Sequence, residues 1–244
     1  MTILINEFIR RSDQGATRPF ICRGDDGKTY FVKGCGAGRR SLVYEWIAGR
    51  LAVELGLPIA PFKIVEIPEE LVTEGYNGEL SDLGAGFAFG SEKQEVIELA
   101  YSSIDDVPLP QKKDVLVFDW WIKNGDRMLT EKGGNPNLFW RPGASELVVI
   151  DHNLAFDNDF DEDIFLRNHV FASAWTKLHS DMHCREEYNL RLAEVLKQWQ
   201  AIADSIPKEW MFLDVELTQL AGIDLESTFQ TLARVHSNDF WNTQ

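Results

Sequence analysis

The first third of the chain alternates short apolar runs with turn residues, a pattern typical of β-strands. Asp26-Gly27 stands between two of these runs and indicates a β-hairpin. The predicted strands are Ile3–Ile9, Pro19–Cys22, Tyr30–Val32, Ile59–Ile67 and Gly86–Gly90.

One segment within this strand-rich part has helical spacing. Between Arg40 and Leu55, apolar residues recur at intervals of three and four positions, which predicts a helix. Gly56 is placed to end the helix, and Pro58 prevents its continuation.

The later part of the chain is mostly helical by the same criterion. The segments Leu138–Trp140 and Leu147–Ile150 predict a short hairpin within it. The predicted helices are Asp114–Lys123, Ile164–Leu178, Glu186–Ser205 and Leu225–Val235. A strand-rich part that precedes a helix-rich part predicts an α+β fold.

Composition and charge narrow the classes of function. The net charge of −15 would repel nucleic acid and anionic lipid, so we expect neither as a direct partner. No apolar stretch is long enough to predict a membrane-spanning helix, and the first residues do not resemble a secretory signal. Three scattered cysteines predict no disulfide framework, which favours a reducing cytoplasm.

Three polar residues occur at the boundaries of predicted elements. Asp126 follows an apolar helix, Asn137 begins one strand of the predicted hairpin, and Asp151 follows the other strand. The alternatives are a turn ion pair between Asp126 and Arg127, a common turn around Asn137, and a helix cap at Asp151. The three residues taken in order favour magnesium binding, because carboxylate and amide oxygens suit this hard cation.

These motifs resemble the HipA-like kinases and, more distantly, the phosphoinositide kinases. The shared elements are an N-x-D-R loop at Asn124–Arg127, a later asparagine at the head of a strand, and an I-D-H element that contains Asp151. The resemblance implies an ATP- and Mg²⁺-dependent kinase in which Asp126 is the catalytic aspartate, with Asn137 and Asp151 as metal ligands.

The same resemblance implies a two-lobed protein-kinase-like fold, with a strand-rich lobe over residues 1–92 and a helical lobe over residues 93–244. One departure is visible. Ten residues separate Asp126 from Asn137, so the segment Met128–Gly133 must loop out, and Asn135 competes with Asn137 for the metal role.

Upstream, the resemblance implies a catalytic lysine–glutamate pair. Lys33 ends a predicted strand, and Glu45 lies on an apolar face of the following helix. A buried carboxylate is costly unless it is paired, which favours an ion pair between them. A partly exposed Glu45 is the alternative, and Glu54 is a weaker rival.

Two further segments are candidates for nucleotide binding. The segment that contains Gly15, Thr17 and Arg18 resembles the G-x-T-R-P segment of HipA-like domains and would contact phosphate, although an ordinary hairpin fits it equally well. Phe87 and Phe89 occupy the position of a hinge strand, whose backbone would meet adenine.

The resemblance suggests a Ser/Thr acceptor on a protein substrate, in a toxin–antitoxin or regulatory setting with an antitoxin-like partner. A small-molecule acceptor and a catalytically inactive binding module are the alternatives. Zinc binding by His179, His183 and Cys184 lacks an evident fourth ligand, so we expect structural or surface roles for these residues.

Overall fold

The computed structural model describes residues 2–13, 18–73, 78, 80–141, 143 and 146–242, which form two compact units. The first unit comprises Met1–Trp46, Ala60–Glu95 and Ile206–Ile223. The second comprises Ile47–Ile59, Val96–Ser205 and Asp224–Gln244. The division of the chain into lobes of residues 1–92 and 93–244 stays a prediction.

The first unit is built on a closed β-barrel of five strands in the order β1-β2-β3-β5-β4. Its strands are β1 (Ile3–Arg11), β2 (Phe20–Gly24), β3 (Thr29–Lys33), β4 (Phe62–Ile67) and β5 (Gly86–Glu92). The pairing of β1 with β4 is parallel, and the other four pairings are antiparallel. Side chains that include Ile5, Tyr30 and Val65 fill its interior.

The hairpin predicted at Asp26-Gly27 is present between β2 and β3. Gly27 has a φ of 77°, in the left-handed region that glycine enters at low cost, and its N–H donates to the Gly24 carbonyl at 3.0 Å. The Asp26 carboxylate accepts the Lys28 N–H at 3.0 Å, so the turn is closed by local bonds.

Two α-helices follow the third strand, α1 (Arg39–Leu55) and α2 (Glu69–Thr73). The α1 helix fits the spacing of apolar residues, since Leu42, Ile47 and Leu51 are fully buried. Gly56 follows the helix with a φ of 84°, as its position predicted. Short 3₁₀ helices occur in the same unit at Cys35–Ala37 and Lys208–Met211.

The second unit is rich in helices. Its α-helices are α3 (Leu109–Trp121), α4 (Glu162–Asn168), α5 (Trp175–Ser180), α6 (Met182–Leu196), α7 (Trp199–Asp204) and α8 (Leu225–Ala233). Its strands are β6 (Ile97–Glu98), β7 (Met128–Thr130), β8 (Gly133–Asn135), β9 (Leu138–Arg141) and β10 (Glu146–Val149). Among its described residues, 3₁₀ helices occur at Tyr101–Ser103, Ala172–Ala174 and Arg234–His236. The sheet order is β10-β9-β6, and β7 pairs with β8 as a separate hairpin.

Two helices predicted as continuous are broken in the structure. The segment 164–178 divides after Asn168, because His169 turns toward a buried carboxylate and the Val170 N–H donates to the Arg127 carbonyl at 3.0 Å. The segment 186–205 divides between Leu196 and Trp199. The helix predicted from Asp114 begins earlier, at Leu109, with Pro110 in its first turn.

None of the helices in the described part of the chain combines the length and the apolar character needed to cross a membrane. Cys22, Cys35 and Cys184 are free thiols. Burial raises the pKa of Cys22 to about 12, so this thiol stays protonated at neutral pH.

Candidate active site

Asn137 and Asp151 lie at the same end of the β9–β10 hairpin in the second unit. Asn137 comes directly before β9, and Asp151 follows β10 with Ile150 in between. Leu138 is paired with Val149, and the Ile150 N–H donates to the Asn137 carbonyl at 3.1 Å. The two polar side chains therefore start from neighbouring points of the backbone.

Asp126 is joined to this end of the hairpin through Asn137. The Asn137 side-chain amide donates to Oδ2 of Asp126 at 3.4 Å, a long hydrogen bond. Burial raises the pKa of the half-buried Asp126 carboxyl above its ordinary value, and the negative charge of Asp151 raises it further. The three residues named from the sequence therefore act on one another electrostatically.

The backbone is strained at both residues that flank this end of the hairpin. Asn137 has a φ of 52° and Asp151 a φ of 56°, in the left-handed region. Asparagine and aspartate enter this region more readily than other residues with a side chain, but the conformation still carries a cost of about 1 kcal/mol or more. Strain of this kind persists where surrounding contacts hold it in place.

Arg127 supplies such contacts. Its Nη1 lies 2.9 Å from the carbonyl oxygen of Pro136, 3.1 Å from that of Asn137 and 3.3 Å from that of Ile150. The Arg127 side chain is fully buried. One guanidinium therefore bonds to both loops that carry the candidate metal ligands.

A buried carboxylate holds Arg127 in turn. Nε of Arg127 lies 2.7 Å from Oδ2 of Asp119, a residue of α3, and Nη2 lies 3.4 Å from Oδ1. Asn124 donates its amide to the same carboxylate at 2.8 Å, and Nε2 of His169 lies 3.0 Å from it. Burial acts to raise the pKa of Asp119, but Arg127 and His169 together hold it below its ordinary value.

The loop between Asp126 and Asn137 accounts for their unusual spacing. Most of its residues form the β7–β8 hairpin, so the insertion is folded on itself. A Cβ at Gly134 would collide with the Met128 carbonyl, so the hairpin requires glycine there. Asn135, the rival metal ligand, is exposed, and its side-chain oxygen accepts the Asn137 N–H at 3.4 Å.

The donor set fits magnesium better than a structural metal. In the described ranges, no group of three or more His, Cys, Asp or Glu residues could hold an ion. The Asp151 carboxylate and the Asn137 amide are the kind of set on which Mg²⁺ is held jointly with phosphate oxygens and water. The residues therefore fit a magnesium ion that is bound together with a nucleotide.

The first unit carries the expected lysine–glutamate pair. Nζ of Lys33, at the end of β3, lies 2.8 Å from Oε2 of Glu45 on α1. The side chains are only 10% and 5% exposed, so the predicted ion pair is confirmed and the exposed alternative for Glu45 is wrong. Glu54 pairs instead with Arg50 at 3.7 Å on the exposed face of the helix.

A family comparison covers almost the whole chain. The family described as HipA-like kinase matches residues 5–244. The chain belongs to the HipA-like kinase family. A solved structure titled as a proinflammatory kinase CtkA of Helicobacter pylori is similar, with 12% identity, a TM-score of 0.49, and coverage of 99% of this chain and 97% of that one. No curated protein matches.

The segment of this HipA-like kinase predicted to contact phosphate is described only in part. Gly15 and Thr17 lie outside the described residues. Arg18 is exposed with a φ of 43°, its carbonyl accepts Nε of Arg11 at 3.1 Å, and its own Nε lies 3.5 Å from the Ser12 carbonyl. Phosphate contact by these residues stays a prediction.

The backbone groups of Phe87 and Phe89, which were predicted to meet adenine, have hydrogen-bond partners within the first unit. The Phe87 N–H donates to the Glu209 carboxylate at 2.7 Å, and the Phe87 carbonyl accepts the Trp210 indole N–H at 2.9 Å. Phe89 pairs on both sides, because β5 lies between β3 and β4 in the barrel. Contact of adenine with these residues stays a prediction.

The zinc alternative required His179 and His183 to share one helical face. His179 lies on α5 and stacks on Trp175, whereas His183 and Cys184 lie on α6. Asp181 stands between the two helices and caps the second, its carboxylate accepting the Cys184 N–H at 3.1 Å. The helical face that His179 and His183 were to share is therefore interrupted.

Sequence reasoning named Arg127 but missed its partners. The alternative of a turn ion pair with Asp126 is wrong, because Arg127 pairs with Asp119. The available signal was an isolated carboxylate in the apolar stretch Val115–Trp121, since a charge at a core position requires a partner. For Glu209 and Trp210 we see no comparable signal.

Proposed function

We propose that this chain is an ATP- and Mg²⁺-dependent phosphotransferase with the two-lobed kinase fold. The observation that carries the proposal is the cluster in the second unit. Asp126 is half-buried, accepts a hydrogen bond from Asn137, and has its pKa raised by burial and by Asp151. A carboxylate with a raised pKa is a better proton acceptor than an ordinary aspartate.

Each polar residue of the cluster would have its own role. Asp126 would orient the acceptor hydroxyl and accept its proton. Asn137 and Asp151 would hold magnesium, which when bound bridges phosphate oxygens and neutralises their charge. In the first unit, Lys33 would bond to the α- and β-phosphates, and Glu45 would fix the lysine.

The proposal includes the acceptor of the phosphoryl group and a partner protein. Membership of the HipA-like kinase family supports a serine or threonine hydroxyl on a protein as the acceptor, in a toxin–antitoxin or regulatory setting with an antitoxin-like partner. A small-molecule acceptor is the second candidate. Phosphoamino-acid analysis of labelled protein, beside chromatography of the low-mass fraction, distinguishes the two acceptors.

The deciding experiment compares wild type with Asp126→Asn and Asp126→Ala on γ-labelled ATP and magnesium. We expect label transfer to fall by about 100-fold or more in both variants, the scale of a lost general base. Asp106→Asn is the matched control, because Asp106 is an exposed aspartate of the same unit. Its activity should equal that of wild type.

Two results would contradict the proposal in different ways. If wild type transfers no more label than Asp126→Asn, catalysis by Asp126 is wrong. If ATP with magnesium still raises the melting temperature in that case, the chain is a nucleotide-binding module without transfer. If ATP causes no shift, nucleotide binding itself is wrong.

A further inference from the structure

Two loops of the second unit accept hydrogen bonds from one buried side chain. The Arg127 guanidinium donates to the carbonyls of Pro136 and Asn137 in one loop and to that of Ile150 in the other. These carbonyls flank or belong to the two candidate metal ligands. We propose that Arg127, held by Asp119, is a positioning residue that sets Asn137 and Asp151 for metal binding. The inference rests on the proposed metal role of those two residues.

The chemistry of the contact requires arginine. A guanidinium has five N–H donors in a rigid plane, so it can bond to a carboxylate on one edge and to carbonyls on another. Arg127 does both, with Nε and Nη2 on Asp119 and Nη1 on three carbonyl oxygens. A lysine ammonium has only three donors on a flexible stem and could not span this set.

Asp119 fixes the plane of the guanidinium. It lies on α3, so its position is set by a regular helix. Its oxygens accept from Asn124 at 2.8 Å and from Arg127 at 2.7 Å, and the His169 ring lies 3.0 Å away. Because the Asp119 side chain is fully buried and bonded on several sides, it has little freedom to follow a displaced arginine.

The bonds from Arg127 are expected to hold two strained residues in their conformations. Asn137 and Asp151 both adopt positive φ, and without fixed neighbours each would relax toward an ordinary conformation. Arg127 bonds to the carbonyl of Asn137 itself and to that of Ile150, directly before Asp151. Loss of these bonds would move the ligand oxygens without touching either ligand side chain.

The test measures metal binding, not turnover. Mn²⁺ serves as the probe, with a non-hydrolysable ATP analogue present, and free Mn²⁺ is followed by electron paramagnetic resonance. We expect the apparent Kd for Mn²⁺ to rise about 10-fold or more in Arg127→Lys and in Asp119→Asn, the scale of losing a residue that orients metal ligands. Circular dichroism confirms that each variant is folded at the temperature used.

Asp114→Asn is the matched control. Asp114 lies on the same helix and pairs with Arg191 at 2.9 Å, so the change removes the same charge from another ion pair of the unit. Its Mn²⁺ affinity should stay within about 2-fold of wild type. Arg127→Lys removes the guanidinium bonds to the three carbonyls, and Asp119→Asn removes the carboxylate that holds the guanidinium, so each variant that folds tests one step of the same chain of contacts.

The outcomes separate this inference from the proposed function. Folded variants that bind Mn²⁺ as wild type does would overturn the positioning role. Wild type that binds no Mn²⁺ would overturn it as well, together with the metal roles of Asn137 and Asp151. If Mn²⁺ binding is weaker in the Arg127 and Asp119 variants but wild type transfers no label, the positioning role stands and phosphoryl transfer is rejected.

Discussion

Nε of Arg127 lies 2.7 Å from Oδ2 of Asp119, and neither side chain is exposed to solvent. Truncation of one partner in such a pair leaves a buried charge without compensation. We predict that Arg127→Ala lowers the free energy of unfolding by about 3–5 kcal/mol, the range for breaking a buried pair. Urea denaturation of the full chain measures this loss.

The control for that prediction is Arg191→Ala. Arg191 pairs with Asp114 in the same unit, but its side chain is 36% exposed, so solvent weakens the interaction. We expect a loss of about 1 kcal/mol or less. Equal losses in the two variants would show that burial does not increase the contribution of the Arg127–Asp119 pair to the free energy of unfolding.

Asp126→Asn should separate stability from activity. The wild-type carboxylate is partly buried and repelled by Asp151, so the neutral amide removes an unfavourable charge. We predict a melting temperature equal to or above that of wild type, with label transfer reduced by about 100-fold or more. Calorimetry and the transfer assay are run on the same sample. A clear fall in melting temperature would mean that Asp126 stabilises the fold.

Glu45 and Glu54 lie on the same helix, so their ion pairs can be compared. Glu45→Gln leaves the largely buried Lys33 ammonium without its carboxylate, and we predict a loss of stability of about 2 kcal/mol or more with weaker ATP binding. Glu54→Gln is the matched change on α1, where the exposed pair with Arg50 contributes about 0.5 kcal/mol or less. Urea denaturation and ATP titration measure both. ATP affinity unchanged in Glu45→Gln would reject its role in nucleotide binding.

His169 should make stability depend on pH. Burial lowers the pKa of this ring below its ordinary value, although Asp119 opposes the shift and Arg127 adds to it. The unfolded chain therefore takes up a proton near pH 6.5, whereas the folded chain does not. Stability is present above that pH and is lost as the pH falls from about 7 toward 5.

His169→Gln removes this titration. We predict that the urea midpoint of wild type falls more between pH 7.5 and pH 5 than that of the variant. A variant whose midpoint falls as steeply as that of wild type would show that other groups cause the acid sensitivity. Both chains carry the other four histidines, so a difference between their pH dependences reports the titration of His169.

The sequence was most informative where a local rule applied. Apolar spacing located α1 almost to the residue, and Asp26-Gly27 located the first hairpin. Helix continuity was predicted poorly, because Val170 and His169 have tertiary hydrogen bonds that end α4 early. Local periodicity contains no information about such distant partners.

For the candidate site, the order and chemistry of Asp126, Asn137 and Asp151 were readable from the chain, since each stands at an element boundary. The proximity of Asn137 to Asp151 required the pairing of β9 with β10, which brings the two loops together.

The sequence by itself determined the α+β class and the polar residues at the element boundaries of the site, because these depend on residue type and short-range spacing. The Lys33–Glu45 pair was implied by the resemblance to the HipA-like kinases. Only the tertiary structure decided that Arg127 bonds to Asp119 and to two loops, and that Glu209 and Trp210 hold the backbone of Phe87. The physical reason is that a hydrogen bond depends on distance and direction in space. Glu209 and Phe87 are 122 positions apart along the chain.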